Sequence, residues 1–327
     1  MRAPRCLLLL SVLLYAALAA GAARADATPL TEADDEPPPR PQPLVFLHIP
    51  KTGGTSLALT LQRFLGELNC TRDALGDDDP QPGNETCVWA HAFPGKDHDE
   101  RLFLARAAVG AAGRNVKLDY LMGHLHFGSC ILLNATLPKR APCVYTTVLR
   151  DPLARIVSHY RWLMRAAPHV LLRRCPECTT IDAFAAAINN GTMITRLYLE
   201  NTQTRVLSGD GFWASITNNR LRDVALHADS EMLERAKANL ASAAVPFFGL
   251  TEDMPAYVRR LRAFLGLPPA AGAEAAARMV VANAAPDALS AEALSPRTRE
   301  LLLESQAQDV HLYEFAKRLL AARGGAA

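Results

Sequence analysis

The sequence lacks a large net charge. Its 35 basic residues nearly balance 33 acidic ones, which gives a formal charge of +2 over 327 residues. Nothing in this overall charge favours binding to nucleic acid, so any anion site must be local. Lysine is scarce, with six residues, and most basic side chains are arginine. Internal repeats are also missing, and the apolar half of the chain is enough for the core of one large domain.

Cysteines are present, but they are not spaced as in a zinc site. After Cys6 an even number remains, which suits disulfides, at positions 70, 87, 130, 143, 175 and 178. Cys175 and Cys178 form a lone CxxC. Because no second pair follows downstream, we expect a short disulfide there rather than a metal or redox site. No metal cluster is visible elsewhere in the sequence, and no metal is expected.

The first 25 residues predict a targeting segment. Arg2 and Arg5 precede an apolar run, and "ARA" at 23–25 fits the small-x-small pattern of a cleavage site. The run is near the short end of the roughly 17 to 25 residues that span a bilayer, so it is either cleaved or kept as a signal anchor. In both cases the remaining chain enters the secretory lumen. The Asn-x-Ser/Thr sequons agree with that compartment, and they begin at Asn69, Asn84, Asn134 and Asn190.

Beyond the leader, the composition divides the chain into a stem and a domain. Residues 26–43 are acidic and proline-rich and predict a disordered stem or linker. We place the folded domain at 44–322 and a disordered tail at 323–327. Within the domain, short apolar runs typical of buried strands alternate with amphipathic helix patterns, including one long helix over 296–321. This alternation indicates an α/β fold with a central, mainly parallel sheet flanked by helices.

The most informative stretch is "FLHIPKTGGTS", where an apolar strand turns into a helix. At such a turn the helix presents unpaired N–H groups and the positive end of its dipole. Gly53 and Gly54 let the backbone approach a ligand closely, Thr55 and Ser56 add hydroxyls, and Lys51 adds a positive charge. These features predict a phosphate cradle. The commoner loop GxxxxGK[ST] places its lysine after the glycines, so an ordinary ATPase or GTPase is less favoured.

A second anion site is predicted at "VLRDPLARIVSHY". Asp151 and Pro152 are the residues that begin a helix and need no ligand. Arg150 precedes them at the end of a strand, where a guanidinium commonly meets a carboxylate or a phosphate. Ser158 lies about two turns along the helix, roughly 10 Å away, which a long arginine side chain helps to span. Two anion sites at neighbouring strand ends suggest a ligand with two separated phosphates.

These two loops resemble those of the Golgi carbohydrate sulfotransferases, in particular the heparan sulfate O-sulfotransferases and the related uronyl 2-O-sulfotransferases. The likeness continues in "GHLHFG", "NTQTRVLSG", "FFGLTEDM" and "LYEFAKRLL", so it covers nearly the whole folded region. It implies a P-loop-like sulfotransferase fold. It also implies a type II membrane protein of the Golgi lumen, or a secreted one if the leader is cleaved.

The resemblance implies that the donor is 3′-phosphoadenosine 5′-phosphosulfate and the acceptor a glycosaminoglycan-like carbohydrate. Carried over residue by residue, it assigns the 5′-phosphosulfate to Lys51, Thr52, Gly53, Gly54, Thr55 and Ser56. It assigns the 3′-phosphate to Arg150 and Ser158. Lys51 would also neutralise charge on the bridging oxygen as its bond to sulfur breaks.

The reaction also needs a base, because an alcohol must lose its proton as it attacks sulfur. Histidine is the side chain best tuned for this near neutral pH. In "LMGHLHFG", strand alternation would place His124 and His126 on one face. The resemblance implies that the histidine after glycine is the base, so His124 is predicted as the base and His126 as a residue that orients the acceptor.

Other functions remain open from the sequence. The acceptor could instead be a protein tyrosine or a small molecule. A lumenal P-loop kinase would share the strand-loop-helix arrangement, and a non-catalytic lumenal domain would explain the sequons and disulfides. For the acceptor groove, the sequence offers Arg173, Arg174, Arg196 and Arg205.

Overall fold

The computed structural model describes residues 43–73, 88–92, 119–130, 143–190, 199–210, 229–268 and 291–324. The strands are β1 Leu44–Leu47, β2 Thr71–Asp73, β3 Val88–Ala92, β4 Tyr120–Gly123, β5 Val144–Leu149 and β6 Gly249–Leu250. The helices are α1 Gly54–Glu67, α2 Pro152–Ala166, α3 Pro168–Leu172, α4 Ile181–Asn189, α5 Thr202–Ser208, α6 Ser230–Ala241, α7 Met254–Phe264, α8 Pro296–Ser305 and α9 Ala307–Gly324. Short 3₁₀ turns occupy Thr251–Asp253 and Ala291–Ala293.

The strands form one parallel sheet in the order β2-β3-β4-β1-β5-β6. Each described pair of neighbours is parallel. Because β1 lies between β4 and β5 and all three strands are parallel, their carboxyl ends are neighbours at the same edge of the sheet. The predicted α/β class with a parallel sheet flanked by helices is therefore confirmed.

Both faces of the central strand are covered, as its uninterrupted apolar sequence predicts. Successive side chains of a strand point to opposite faces. Leu44 and Phe46 pack in one apolar cluster with residues of α1 and α7. Val45 and Leu47 pack in another with residues of α6 and α9. Burial on two faces fixes the register of β1, since a slip by one residue would exchange the two sets.

The helix after β5 begins as its sequence predicts. The Asp151 carboxylate accepts a hydrogen bond from the Ala154 N–H at 2.8 Å, and Pro152 occupies the first turn. The apolar side of α2 packs with α4 and α8 in a third cluster. Within that cluster Cys175 and Cys178 are buried and form the predicted disulfide. A second disulfide joins Cys130 to Cys143.

The predicted long helix over 296–321 is two helices. α8 ends at Ser305, α9 starts at Ala307, and Gln306 between them is fully buried. The Gln306 side chain donates to the Leu199 carbonyl at 2.9 Å and accepts from Arg155 at 2.7 Å. These tertiary hydrogen bonds stabilise the interruption between α8 and α9. Helical periodicity in the sequence does not reveal such an interruption. α9 continues to Gly324, two residues beyond the predicted domain end.

Several sequence predictions lie outside the described residues. They are the leader at 1–25, nearly all of the stem at 26–43, and the sequons at Asn84 and Asn134. The other two sequon asparagines, Asn69 and Asn190, are exposed. None of the helices among the described residues combines the length and apolarity needed to cross a membrane.

A buried ion pair connects α2 to α9. Arg155 and Asp309 approach to 3.7 Å, and both side chains have no solvent exposure. Burial lowers the pKa of Arg155, while the Asp309 carboxylate acts in the opposite direction. The same carboxylate accepts hydrogen bonds from the N–H groups of Gln203 and Thr204, at 3.1 and 2.7 Å. Asp309 therefore fixes the start of α5 as well as α2.

Asp309→Ala should strongly destabilise the fold. Removing one partner of a buried ion pair leaves an uncompensated charge and costs about 3–5 kcal/mol. Lys317→Ala is the matched control, because it breaks an exposed pair with Glu314 on the same helix. An exposed pair contributes about 0–1 kcal/mol. Urea unfolding of the two variants checks this, and similar losses in both would contradict the assigned role of Asp309.

Candidate functional site

The candidate site lies where β4, β1, β5 and β6 end side by side. The chain continues from these strands into His124, His48, Arg150 and Thr251 respectively. The His48 N–H donates to the Gly123 carbonyl at 2.7 Å, which ties the end of β1 to that of β4. In open parallel sheets, ligands bind at this edge. The two predicted anion loops and the predicted base are therefore at one edge of one sheet.

The loop after β1 is a tight turn into α1. Lys51 and Gly53 both have positive φ, 70° and 84°, and Gly53 is the N-cap of α1 without any side-chain cap. A Cβ at Gly53 would come within 2.8 Å of the Met254 side chain. The hydroxyl of Thr52 is buried and donates to the Ile49 carbonyl at 3.0 Å. Thr52 thus shapes the turn, and the first N–H groups of α1 point out of its uncapped end.

Gly54 is needed for a reason that the sequence does not reveal. A Cβ at this position would overlap the imidazole of His48. His48 itself is buried and stacks on the His124 ring, with the ring centroids 4.3 Å apart. Gly54 therefore leaves room for the histidine that supports the predicted base. Of the two hydroxyls that follow, Thr55 is exposed and Ser56 is buried.

Arg150 reaches across to the first loop. Its Nη1 donates to the Lys51 carbonyl at 3.1 Å. The Thr251 hydroxyl lies 3.1 Å from both the Thr52 and the Leu149 carbonyls and so joins the same two loops. The guanidinium of Arg150 consequently lies against the loop that carries Lys51.

The side chain of Gln203 forms two hydrogen bonds with the backbone of Arg150. The Arg150 N–H donates to Oε1 of Gln203 at 2.9 Å, and Nε2 of Gln203 donates to the Arg150 carbonyl at 3.0 Å. Gln203 is fully buried, and its own N–H is bonded to Asp309. This amide clamp, formed by Gln203 and the Arg150 peptide groups, gives Gln203 of the "NTQTR" segment a structural role.

The surroundings of Lys51 are cationic. Burial and then three neighbouring guanidinium groups lower the pKa of Lys51 to about 8, and these groups belong to Arg165, Arg150 and Arg161. Burial also lowers the pKa of Arg150, which Glu252 and Asp151 partly oppose. Like charges brought together at partly buried positions repel one another, and a bound anion relieves that repulsion. The residues present therefore suit a ligand with more than one negative group.

One ring nitrogen of His124 is hydrogen-bonded to the backbone. Its Nδ1 lies 2.8 Å from the His48 carbonyl oxygen, which can only accept, so Nδ1 carries the proton. In the neutral ring this leaves the lone pair on Nε2. The arrangement gives His124 the tautomer that can accept a proton from a substrate hydroxyl.

The prediction that His124 and His126 lie on one face of a strand is wrong. β4 ends at Gly123, so both histidines lie in the following loop, where strand alternation does not apply. His126 is buried, and its carbonyl accepts a hydrogen bond from the Ser129 N–H at 3.2 Å. His124 is oriented by its hydrogen bond to the His48 carbonyl, and its spacing to His126 plays no part in this.

Ser158 lies half-buried on α2, with three residues near it that the sequence analysis missed. They are Arg161, Trp162 and Arg165, at three, four and seven positions after Ser158 and hence on the same side of the helix. The Trp162 ring centroid is 6.0 Å from Lys51 Nζ. Helical spacing from Ser158 is the signal that could have found them.

The arginines proposed for an acceptor groove have other positions. Arg173 and Arg174 are exposed on the segment after α3, and Arg205 donates to the Glu200 carbonyl at 3.0 Å. Arg196 is outside the described residues. The part of the chain that the structure describes contains no group of three or more His, Cys, Asp or Glu side chains that could hold a metal ion.

Comparison with known proteins adds no family assignment, because the chain matches no family model and no curated protein sequence.

Binding of adenosine 3′,5′-bisphosphate should weaken as the pH rises above about 8. The Lys51 pKa of about 8 means that the ammonium is present below that pH and is lost as the pH rises through it. An anion that requires the ammonium should then lose up to about tenfold in affinity per pH unit. Calorimetry between pH 7 and 9.5 measures this dependence.

Lys51→Arg is the control for the pH dependence, because arginine stays charged throughout that range. Its affinity should be nearly constant between pH 7 and 9.5, whatever its absolute value. A wild-type profile as flat as that of Lys51→Arg would show that the ammonium of Lys51 does not bind the ligand.

Proposed function

We propose that this chain is a sulfotransferase that transfers a sulfuryl group from 3′-phosphoadenosine 5′-phosphosulfate to a hydroxyl of a carbohydrate. The observation that carries the proposal is the hydrogen bond from Arg150 to the Lys51 carbonyl, which joins two cationic loops at adjacent strand ends. The described sheet and loops are compatible with a P-loop-like sulfotransferase fold. The resemblance, the apolar leader and the sequons favour a Golgi-lumenal enzyme, membrane-bound through residues 1–25 if the leader is retained.

The proposed nucleotide needs one set of groups for each of its two anionic ends, and the two loops offer both. The uncapped start of α1 and the Lys51 ammonium would hold the 5′-phosphosulfate, with Gly53, Gly54, Thr55 and Ser56 forming the turn around it. Thr52 would contribute through its backbone, since its hydroxyl is bonded within the turn. Arg150 and Ser158 would hold the 3′-phosphate.

The donor, when bound, supplies the sulfuryl group and leaves as the 3′,5′-bisphosphate. Nε2 of His124 accepts the proton of the acceptor hydroxyl as its oxygen bonds to sulfur. Lys51 stabilises the charge that develops on the bridging oxygen as the sulfur–oxygen bond breaks. The carbonyl of His48 keeps the proton on Nδ1 of His124 and so keeps Nε2 ready to accept. His126, two residues further along, is proposed to orient the acceptor.

Calorimetry distinguishes this activity from that of a phosphate-loop kinase or a non-catalytic domain. Tight binding of adenosine 3′,5′-bisphosphate without metal, and weak binding of ATP with Mg²⁺, is expected of a sulfotransferase. The opposite preference would favour a kinase, and binding of neither would exclude both enzymes. Incubation with labelled sulfate donor and a panel of glycans, tyrosine peptides and phenols then identifies the acceptor class.

His124→Ala should lower kcat about 10²–10⁴-fold, the usual contribution of a general base. Binding of adenosine 3′,5′-bisphosphate should change little, because His124 faces the acceptor proton. Lys51→Ala should lose both transfer and nucleotide binding. His311→Ala, an exposed histidine on α9, is the matched control and should retain activity. Full activity of either Lys51→Ala or His124→Ala, with thermal melts confirming folded protein, would exclude these roles.

A further inference from the structure

One side of α2 carries further cationic and aromatic side chains next to the residues assigned to the nucleotide. Arg161, Trp162 and Arg165, here called the tryptophan face, follow Ser158 at helical spacing. The Trp162 ring centroid lies 6.0 Å from the Nζ of Lys51. This distance places Trp162 beside Lys51, the residue proposed to hold the phosphosulfate.

Trp162 is an unusual residue to expose at this position. Among the described residues, only Leu59 and Trp162 are large hydrophobic side chains with substantial exposure, 38% and 39%. A single exposed apolar side chain is ordinary on a protein surface. Trp162, however, adjoins the ammonium that the transferring group must approach. An indole offers a broad flat surface with large contact area and few rotatable bonds, which suits stacking against a ring.

The two arginines of the tryptophan face are not among the residues assigned to the nucleotide. Arg161 and Arg165 both act electrostatically on Lys51. Arg165 is exposed and has no ion-pair partner among the residues that the structure describes. A guanidinium in this position can pair bidentately with a planar carboxylate or with a sulfate.

We propose that Trp162 and Arg165 form the acceptor subsite for an acidic saccharide. Trp162 stacks against the apolar face of a sugar ring, and Arg165 pairs with a carboxylate on that sugar or its neighbour. This inference rests on the proposed sulfotransferase function. Beyond that function, it names the residues that select the acceptor and states that they select a negatively charged one.

The alternative partner that could stack on Trp162 is the adenine ring of the nucleotide. The contact of Trp162 with Lys51 favours the acceptor, because Lys51 is assigned to the phosphosulfate end of the nucleotide. The two occupants have different consequences. Loss of an adenine contact weakens nucleotide binding, whereas loss of a sugar contact raises the acceptor KM.

The test uses the full-length protein, labelled sulfate donor and two matched acceptors. One is an unsulfated oligosaccharide that contains uronic acids, and the other is the same oligosaccharide with its carboxyl groups reduced to alcohols. The variants are Trp162→Ala, Trp162→Phe and Arg165→Ala. The matched control is Arg318→Ala, an exposed arginine on α9. For each protein, the acceptor KM, kcat and the Kd for adenosine 3′,5′-bisphosphate are measured, with thermal melts to establish folding.

Arg165→Ala should raise KM about tenfold for the uronic acid oligosaccharide, the size expected for one charge-assisted pair. It should change KM less than about twofold for the carboxyl-reduced one, because the partner charge is missing there. Trp162→Ala should raise the acceptor KM about tenfold for both oligosaccharides, and Trp162→Phe should bring KM most of the way back to the wild-type value. kcat, the nucleotide Kd and the Arg318→Ala control should stay within about twofold of wild type.

Three results would overturn the inference. The first is an equal response of both acceptors to Arg165→Ala, the second is a weaker nucleotide Kd in Trp162→Ala, and the third is a wild-type preference for neutral glycans or peptides. Each of these leaves sulfuryl transfer itself standing, although a preference for peptides would also exclude the proposed carbohydrate acceptor. Failure of that function is distinct, because wild-type protein would then bind no adenosine 3′,5′-bisphosphate and transfer no sulfate.

Discussion

The structure depends on the way in which two cations are held together at the edge of a parallel sheet. Because β1 lies between β4 and β5, the Lys51 loop and Arg150 emerge side by side. The repulsion between these groups is opposed by fixed backbone geometry, in which Arg150 is bonded to the Lys51 carbonyl and clamped by Gln203. Gln203 depends in turn on Asp309. The protein core therefore supports a concentration of positive charge that a flexible loop would not maintain.

Much of the fold could be predicted from local patterns. The apolar run of β1 predicted a strand covered on both faces, and Asp151 with Pro152 predicted the start of α2. The break at Gln306 could not be predicted, because its cause is a set of bonds to Leu199 and Arg155 that are distant in sequence. Periodicity reports which side of a helix is apolar, but it does not report where a buried polar side chain interrupts the helix.

The candidate site could be predicted in its residue types but not in its contacts. The sequence indicated Lys51 and Arg150 by their positions after apolar runs, and the resemblance indicated His124. It placed His124 on a strand, whereas β4 ends one residue earlier and the bond to His48 sets the orientation of the ring. It also missed Trp162, because an aromatic residue on an amphipathic helix has the pattern of a core residue. Its exposure beside Lys51 becomes visible only when α2 is packed against the sheet.

The central claim is that one nucleotide with two phosphates bridges the Lys51 loop and Arg150. A crystal structure of the chain with adenosine 3′,5′-bisphosphate tests it most directly. We expect the 5′-phosphate at hydrogen-bond distance, about 2.7–3.2 Å, from the N–H groups that begin α1 and from the Lys51 ammonium. The 3′-phosphate should contact Arg150 and Ser158. A nucleotide bound elsewhere, or with either phosphate directed into solvent away from these cations, would contradict the claim.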